Sequence, residues 1–136
     1  MNVHASVETL LSEETRSFLA KPMQMLIGNE WHDAADGGTF ETHDPATGQL
    51  ICKVAHAGRA DVDRAAKSAQ EALTGDWAHM APAAREAVLR RFADLIEART
   101  DLIGQVESLD SGKPAEHIKF VDVPLAVGAL RYNAGF

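Results

Sequence analysis

The sequence predicts a mixed α/β chain, incomplete as a fold: an N-terminal helix, two β-hairpins, then a run of α-helices. Three observations carry this. Turn signals between apolar runs punctuate residues 23–57, and a helical period replaces them from residue 58 onward. Two hairpins would leave their sheet edges open, and the amphipathic helices have no shared sheet to cover.

The elements follow in order. Residues 1–22 read as a helical leader and 23–136 as the main body, with hairpins over 23–57 and helices over 58–136. Within the leader, Val7, Leu10, Leu11, Phe18 and Leu19 share a face over Ser6 to Ala20. Lys21-Pro22 ends that helix, because proline disfavours the helical region in the residue before it. The segment "MQMLIGNEWHDA" predicts a hairpin reversing at Gly28-Asn29. A second strand opens at Phe40, reverses through Asp44-Pro45-Ala46-Thr47-Gly48 and returns over Leu50 to Val54.

From Asp61, Val62, Ala65, Ala66, Ala69 and Leu73 form one stripe, with Asp61 and Asp63 near the start, where the helix dipole favours anions. Gly75 breaks this helix, and Pro82 stands in the first turn of the next, whose stripe is Val88, Leu89, Phe92, Leu95 and Ile96. Leu102, Ile103, Val106 and Leu109 mark a further helix, and Pro124 kinks or restarts the last, over 114–136. That segment stops at the apolar Phe136 with no polar tail, which reads as a cut in mid-element; the alternative is a last turn docked on the domain's own core.

The net charge is −7, from 20 acidic and 13 scattered basic side chains, which argues against nucleic acid or an anionic membrane as partner. No apolar run is long enough to span a bilayer. The single cysteine, Cys52, excludes an intramolecular disulfide and fits a reducing compartment. Glu8, Glu13 and Glu14 make the first residues unlike a secretory signal or a transit peptide, so a cytoplasmic location is expected.

Chemistry-bearing motifs are sparse. "ESLDSGKP" contains Gly112-Lys113, but a phosphate loop would need glycine at 107, where Glu107 stands, and Ser or Thr at 114, where Pro114 stands. The stretch reads instead as punctuation: Gly112 ends one helix in the left-handed conformation and Pro114 opens the next. Asp110 sits where the helix dipole disfavours an anion, so Lys113, a backbone N–H or a bound cation should compensate; a bond to its own turn is the ordinary use. Cys52 lies in a strand between Ile51 and Val54, a setting for a buried, inert thiol. The six histidines show no zinc spacing, and there is no G-x-G-x-x-G or G-x-S-x-G. Trp31 and Trp77 read as packing anchors for the first hairpin and the interhelical loop. No self-sufficient active site emerges.

Taken together, "LIGNEWHDA", "DPATGQLICKVAHAGRADVDRAAKSAQEAL", "RFADLIEARTDLIGQVESLDSGKP" and "DVPLAVGALRYNAGF", in this order and spacing, resemble the N-terminal part of the NAD(P)-dependent aldehyde dehydrogenase superfamily over about Met25 to Phe136. The resemblance implies a lead-in to a Rossmann-type cofactor domain that is itself missing here, along with the catalytic domain and the β-arm for oligomerisation. It implies a parent enzyme, a homo-oligomer, that oxidises an aldehyde to a carboxylic acid through a cysteine thioester, with NAD or NADP as cofactor. The family's catalytic cysteine, general-base glutamate, oxyanion asparagine and cofactor-facing glycine segment have no match, so this chain alone is expected to bind no cofactor and to be inactive. Two weaker correspondences carry over. Thr42 and Asp110 match positions that hold a monovalent cation in some members. Phe120, Val121 and Leu125 match positions that line the aldehyde entrance, with plain helix packing as the other use. Asn133 and Phe136 depart from the aromatic and the tryptophan common at their positions. The competing expectation is a stand-alone helical interaction module derived from such an enzyme.

Overall fold

A computed structural model describes residues 11–136. Helix α1 (Glu13–Leu19) is followed by strands β1 (Met25–Ile27), β2 (Glu30–His32), β3 (Thr39–His43) and β4 (Leu50–Ala55). Then come helices α2 (Arg59–Ala72), α3 (Asp76–His79), α4 (Pro82–Glu97), α5 (Thr100–Ser111) and α6 (Ala115–His117). A π-helical turn (Ile118–Asp122) leads into α7 (Val123–Ala134). This is the expected order.

Helix α1 is shorter than the expected 6–20. The Ser12 hydroxyl accepts the Thr15 N–H and fixes the start, while Ser6 to Leu10 lie outside the described residues. The face that packs also differs: Thr15 is fully buried, whereas Phe18 is exposed. The Ser12 N–H donates to Gln105 Oε1 on α5, which ties the segment down.

Both hairpins obey local chemistry. Ile27 pairs with Glu30, so Gly28 and Asn29 form a two-residue turn, and both have positive φ (61° and 68°). That is the mirror-image turn whose twist suits paired strands. In the second reversal, Asp44 is buried and binds its own turn: its carboxylate accepts Ala46 N–H (2.8 Å) and the Thr47 hydroxyl (2.7 Å). The hairpins remain two separate two-stranded sheets, joined near Met23 and Val54 by one parallel bridge.

Helix α2 begins at Arg59 rather than Asp61, and one carboxylate explains why. Asp61, 2% exposed, accepts the Gly58 N–H at the helix start (3.0 Å). It also accepts the Ala35 N–H from the loop after β2 (3.1 and 3.2 Å) and pairs with Arg64 (3.0 Å). It therefore fastens the first hairpin's exit to the helix. The apolar stripe Val62, Ala65, Ala66, Ala69 and Leu73 stays unpacked: all five residues are exposed. Periodicity marks which face can be buried, and these residues lack a partner surface within the described chain.

The core is small. Ala93 of α4 meets Ile118, Val123 and Val127 of the last helix, with Ile96, Ile103 and Leu130 packed around them. Arg131 of α7 adds ion pairs to Asp94 (2.8 Å) and Glu97 (2.6 Å) of α4. Of the α4 stripe, Val88, Phe92 and Leu95 remain exposed. Gly112 closes α5 at φ 74°, left-handed as expected, and α6 starts after Pro114.

Asp44 and Asp61 carry a pH dependence. The Thr47 hydroxyl and Ala46 N–H hold the Asp44 carboxyl below its ordinary value, and the Gly58 N–H, aided by Ala35 and Arg64, does the same for Asp61. A lowered folded-state pKa means stability present above the unfolded value and lost as pH falls through the folded one. Urea midpoints should therefore hold steady above about pH 4 and drop below it. In Asp44→Asn/Asp61→Asn the midpoint at pH 7 should be lower and the acid slope flatter; an unchanged slope would contradict this assignment.

Candidate functional site

Strand β3 sets Thr42 directly opposite Cys52 of β4, and the register then slips so that His43 faces Leu50. Ile51 is the extra residue of this bulge. Side chains normally alternate along a strand, but a bulge breaks the alternation. Ile51 and Cys52 accordingly line the same cavity, an open space of ≈ 750 Å³ between the second hairpin, α1 and α5. Val106, Glu107 and Asp110 line its far wall, at a spacing that puts them on one helical face. Trp31, expected as a packing anchor of the first hairpin, forms part of the rim and is 66% exposed. Trp77 is also exposed.

Thr42 and Asp110, expected as cation ligands, thus meet at one cavity. Cys52 lies with them, which the sequence reading missed. The thiol is half-buried, and burial is the main cause pushing its pKa up; the Thr42 hydroxyl opposes this, and the negative charge of Asp110 adds to the rise. A reactive thiolate needs a positive neighbour or a helix N-terminus. Cys52 has a carboxylate instead, so the arrangement suits an inert thiol. Among the described residues no three His, Cys, Asp or Glu side chains are grouped to hold a metal ion. The alternating "FETH" and "LICKV" pattern signalled paired strands but could not reveal the slip that brings Ile51 to the same cavity as Cys52.

Phe120, Val121 and Leu125 stand apart from this cavity, on the last helix, at 75%, 39% and 66% exposure. They form an outward apolar face, not part of the core.

The sequence model of the aldehyde dehydrogenase family matches residues 31–136. The chain belongs to the aldehyde dehydrogenase family. It is 43% identical over 116 residues to an aldehyde dehydrogenase of Alternaria alternata, covering 85% of this chain and 23% of that protein. The mitochondrial aldehyde dehydrogenase of Rattus norvegicus is 44% identical over 115 residues, 83% of this chain and 22% of the relative. The NAD+ complex of the aldehyde dehydrogenase from Bacillus cereus superposes with a TM-score of 0.90 at 37% identity, over 92% of this chain and 26% of that one. The chain therefore spans about a quarter of the length of the aldehyde dehydrogenases it matches, as an N-terminal part of their fold.

The polar trio at the cavity has a direct readout. Alkylation of Cys52 by iodoacetamide should reach half its maximal rate at a pH above that of a free cysteine thiol. Asp110→Asn removes the nearby negative charge and should speed alkylation at pH 8, whereas Thr42→Val removes the opposing hydroxyl and should slow it. Identical rates in all three proteins would show that Thr42 and Asp110 do not act on the thiol.

Proposed function

We propose that this chain forms the N-terminal part of an NAD(P)-dependent aldehyde dehydrogenase that oxidises an aldehyde to a carboxylic acid through a cysteine thioester. The observation that carries the reading is the fit of 92% of the chain to the Bacillus cereus enzyme. In this reading the segment supplies scaffold and a stretch of substrate entrance, not the reacting groups. Cys52 supports that division of labour, since its burial and its acidic neighbour disfavour the thiolate a nucleophile requires.

The nicotinamide cofactor, NAD or NADP, accepts a hydride when bound. The described residues do not fit it: the strands form two antiparallel hairpins, without the parallel strand–helix–strand unit that presents a helix N-terminus to a pyrophosphate. The backbone carbonyl of Thr42 and the carboxylate of Asp110 are proposed as two oxygen ligands of a monovalent cation, an assignment their shared cavity supports. Phe120, Val121 and Leu125 are proposed to border the aldehyde's approach, which their exposed apolar face supports. Assembly of the parent enzyme as a homo-oligomer belongs to the same reading. So does a reducing, cytoplasmic compartment, supported by the single cysteine; among the described residues no helix is long and apolar enough to cross a membrane.

The purified 136-residue chain, mixed with NAD or NADP and a range of aldehydes, should produce no reduced nicotinamide above the protein-free control. Turnover would mean that the chain carries its own nucleophile and cofactor site.

A further inference from the structure

Residues 115–134 form one continuous rod that changes its winding once. Over Ile118–Asp122 the helix is π, and the Val123 N–H donates to the Ile118 carbonyl, five residues back rather than four. The cause lies just downstream. Pro124 has no N–H to offer the Phe120 carbonyl, and in a regular α-helix its ring would press on that carbonyl; a wider turn relieves both.

The turn decides which side chains face outward. Ile118 and Val123 are both buried, 1% and 4% exposed, in the cluster around Ala93 and Val127. Five residues apart on a regular α-helix, they would point about 140° apart and could not share that face. On a π turn, five residues close roughly one full turn, so both reach the core. With Val123 and Val127 in the core and α winding throughout, the residues one turn earlier on the same face would be Lys119 and Phe120. Instead Phe120 is 75% exposed, and Lys119 reaches sideways to Asp101 (2.8 Å) and Glu116 (3.1 Å). The neighbouring helix fits this winding closely: a Cβ on the buried Gly104 of α5 would lie 2.5 Å from Lys119 Cγ. Lys113 bonds Asp122 across the turn (2.5 Å).

We propose that Pro124, through this π turn, is the positioning residue of the substrate entrance: it turns Phe120 and Val121 outward, toward the side from which the aldehyde arrives. The proposal rests on the entrance reading given above. Pro124 itself touches no substrate; it sets the register of the residues that do. Entry of a bulky aldehyde then depends on a proline outside the wall, and loss of that proline rotates the wall.

Reporter thiols test the register on the chain itself. In a Cys52→Ser background, the substitutions Phe120→Cys and Ile118→Cys are made singly and labelled with a charged maleimide. With Pro124 in place, the thiol at position 120 should react at least about tenfold faster than that at 118, because a core position reacts only through local opening. Pro124→Ala restores the N–H, and the ratio should fall by at least that factor as position 120 turns inward. A circular-dichroism melt confirms that each variant is folded. A ratio that stays high in folded Pro124→Ala overturns the role of Pro124. Should Pro124→Ala not fold, Pro124→Ser, which also restores the N–H, is labelled in its place and a ratio that stays high there overturns the role of Pro124; a parent ratio near or below one overturns the register. A second measurement separates this proposal from the entrance reading. In the full-length enzyme, Pro124→Ala should raise KM for a bulky aromatic aldehyde on the order of tenfold, while kcat for a small aliphatic aldehyde holds. A shifted labelling ratio with unchanged KM values overturns the entrance reading; an unshifted ratio overturns the π-turn proposal and leaves that reading standing.

Discussion

The close approach of three helices at Ala93, Gly104 and Ile118 is the constraint on which the rest depends. Ala93 is completely buried on α4, and Gly104 is buried on α5; both are small, and both admit the last helix at short range. Ile118 and Val123 fill the space so created. Because those two residues are five apart, the last helix must widen where they meet the core, and Pro124 makes that widening the favourable winding. The outward faces of α4 and α7 then follow from the inward ones. Asp61 performs the equivalent task at the other end of the chain, where one carboxylate joins the loop after β2 to the start of α2.

What lies outside that core is as informative as what lies within it. Trp31, Phe92, Leu125 and Tyr132 are all more than half exposed, and the whole stripe of α2 faces away from the described core. Single exposed apolar groups are ordinary, but several on successive helices form surfaces that a larger fold would cover. The chain spans about a quarter of the aldehyde dehydrogenases it matches, and these faces suit the reading of it as one part of such an enzyme. The chemistry of its cavity agrees: burial, with the negative charge of Asp110 adding to it, raises the Cys52 pKa, the opposite of what a reactive thiolate needs.

Legibility in the sequence followed locality. Gly28-Asn29, Gly112 and Pro82 act within a single turn, where the residue type dictates φ or removes an N–H, and each lies where the pattern put it. Asp61 was visible only as a charge near a helix start; its bond to Ala35, 26 residues away, is tertiary. Thr15 lay off the apolar face marked by Phe18 and Leu19, yet it is the buried residue of α1, with its hydroxyl satisfied by Ser12. The α2 stripe was legible as an apolar face but its partner was not, since periodicity reports a face and not what covers it. Pro124 marked where the last helix kinks or restarts, but the π winding there follows from the burial of both Ile118 and Val123, five residues apart, which is tertiary. The meeting of Thr42 with Asp110 came from family resemblance; spacing alone gave no hint of it.

The claim that this chain is the front of a dehydrogenase is tested most directly by the intact mass of the native product in its source cells, detected with an antibody raised to this chain. The reading requires a single species about four times heavier than the 14.7 kDa of these 136 residues, in keeping with the share of each relative that they cover. A species at 14.7 kDa alone would contradict it and would make the short chain, with its exposed helical faces, a protein in its own right.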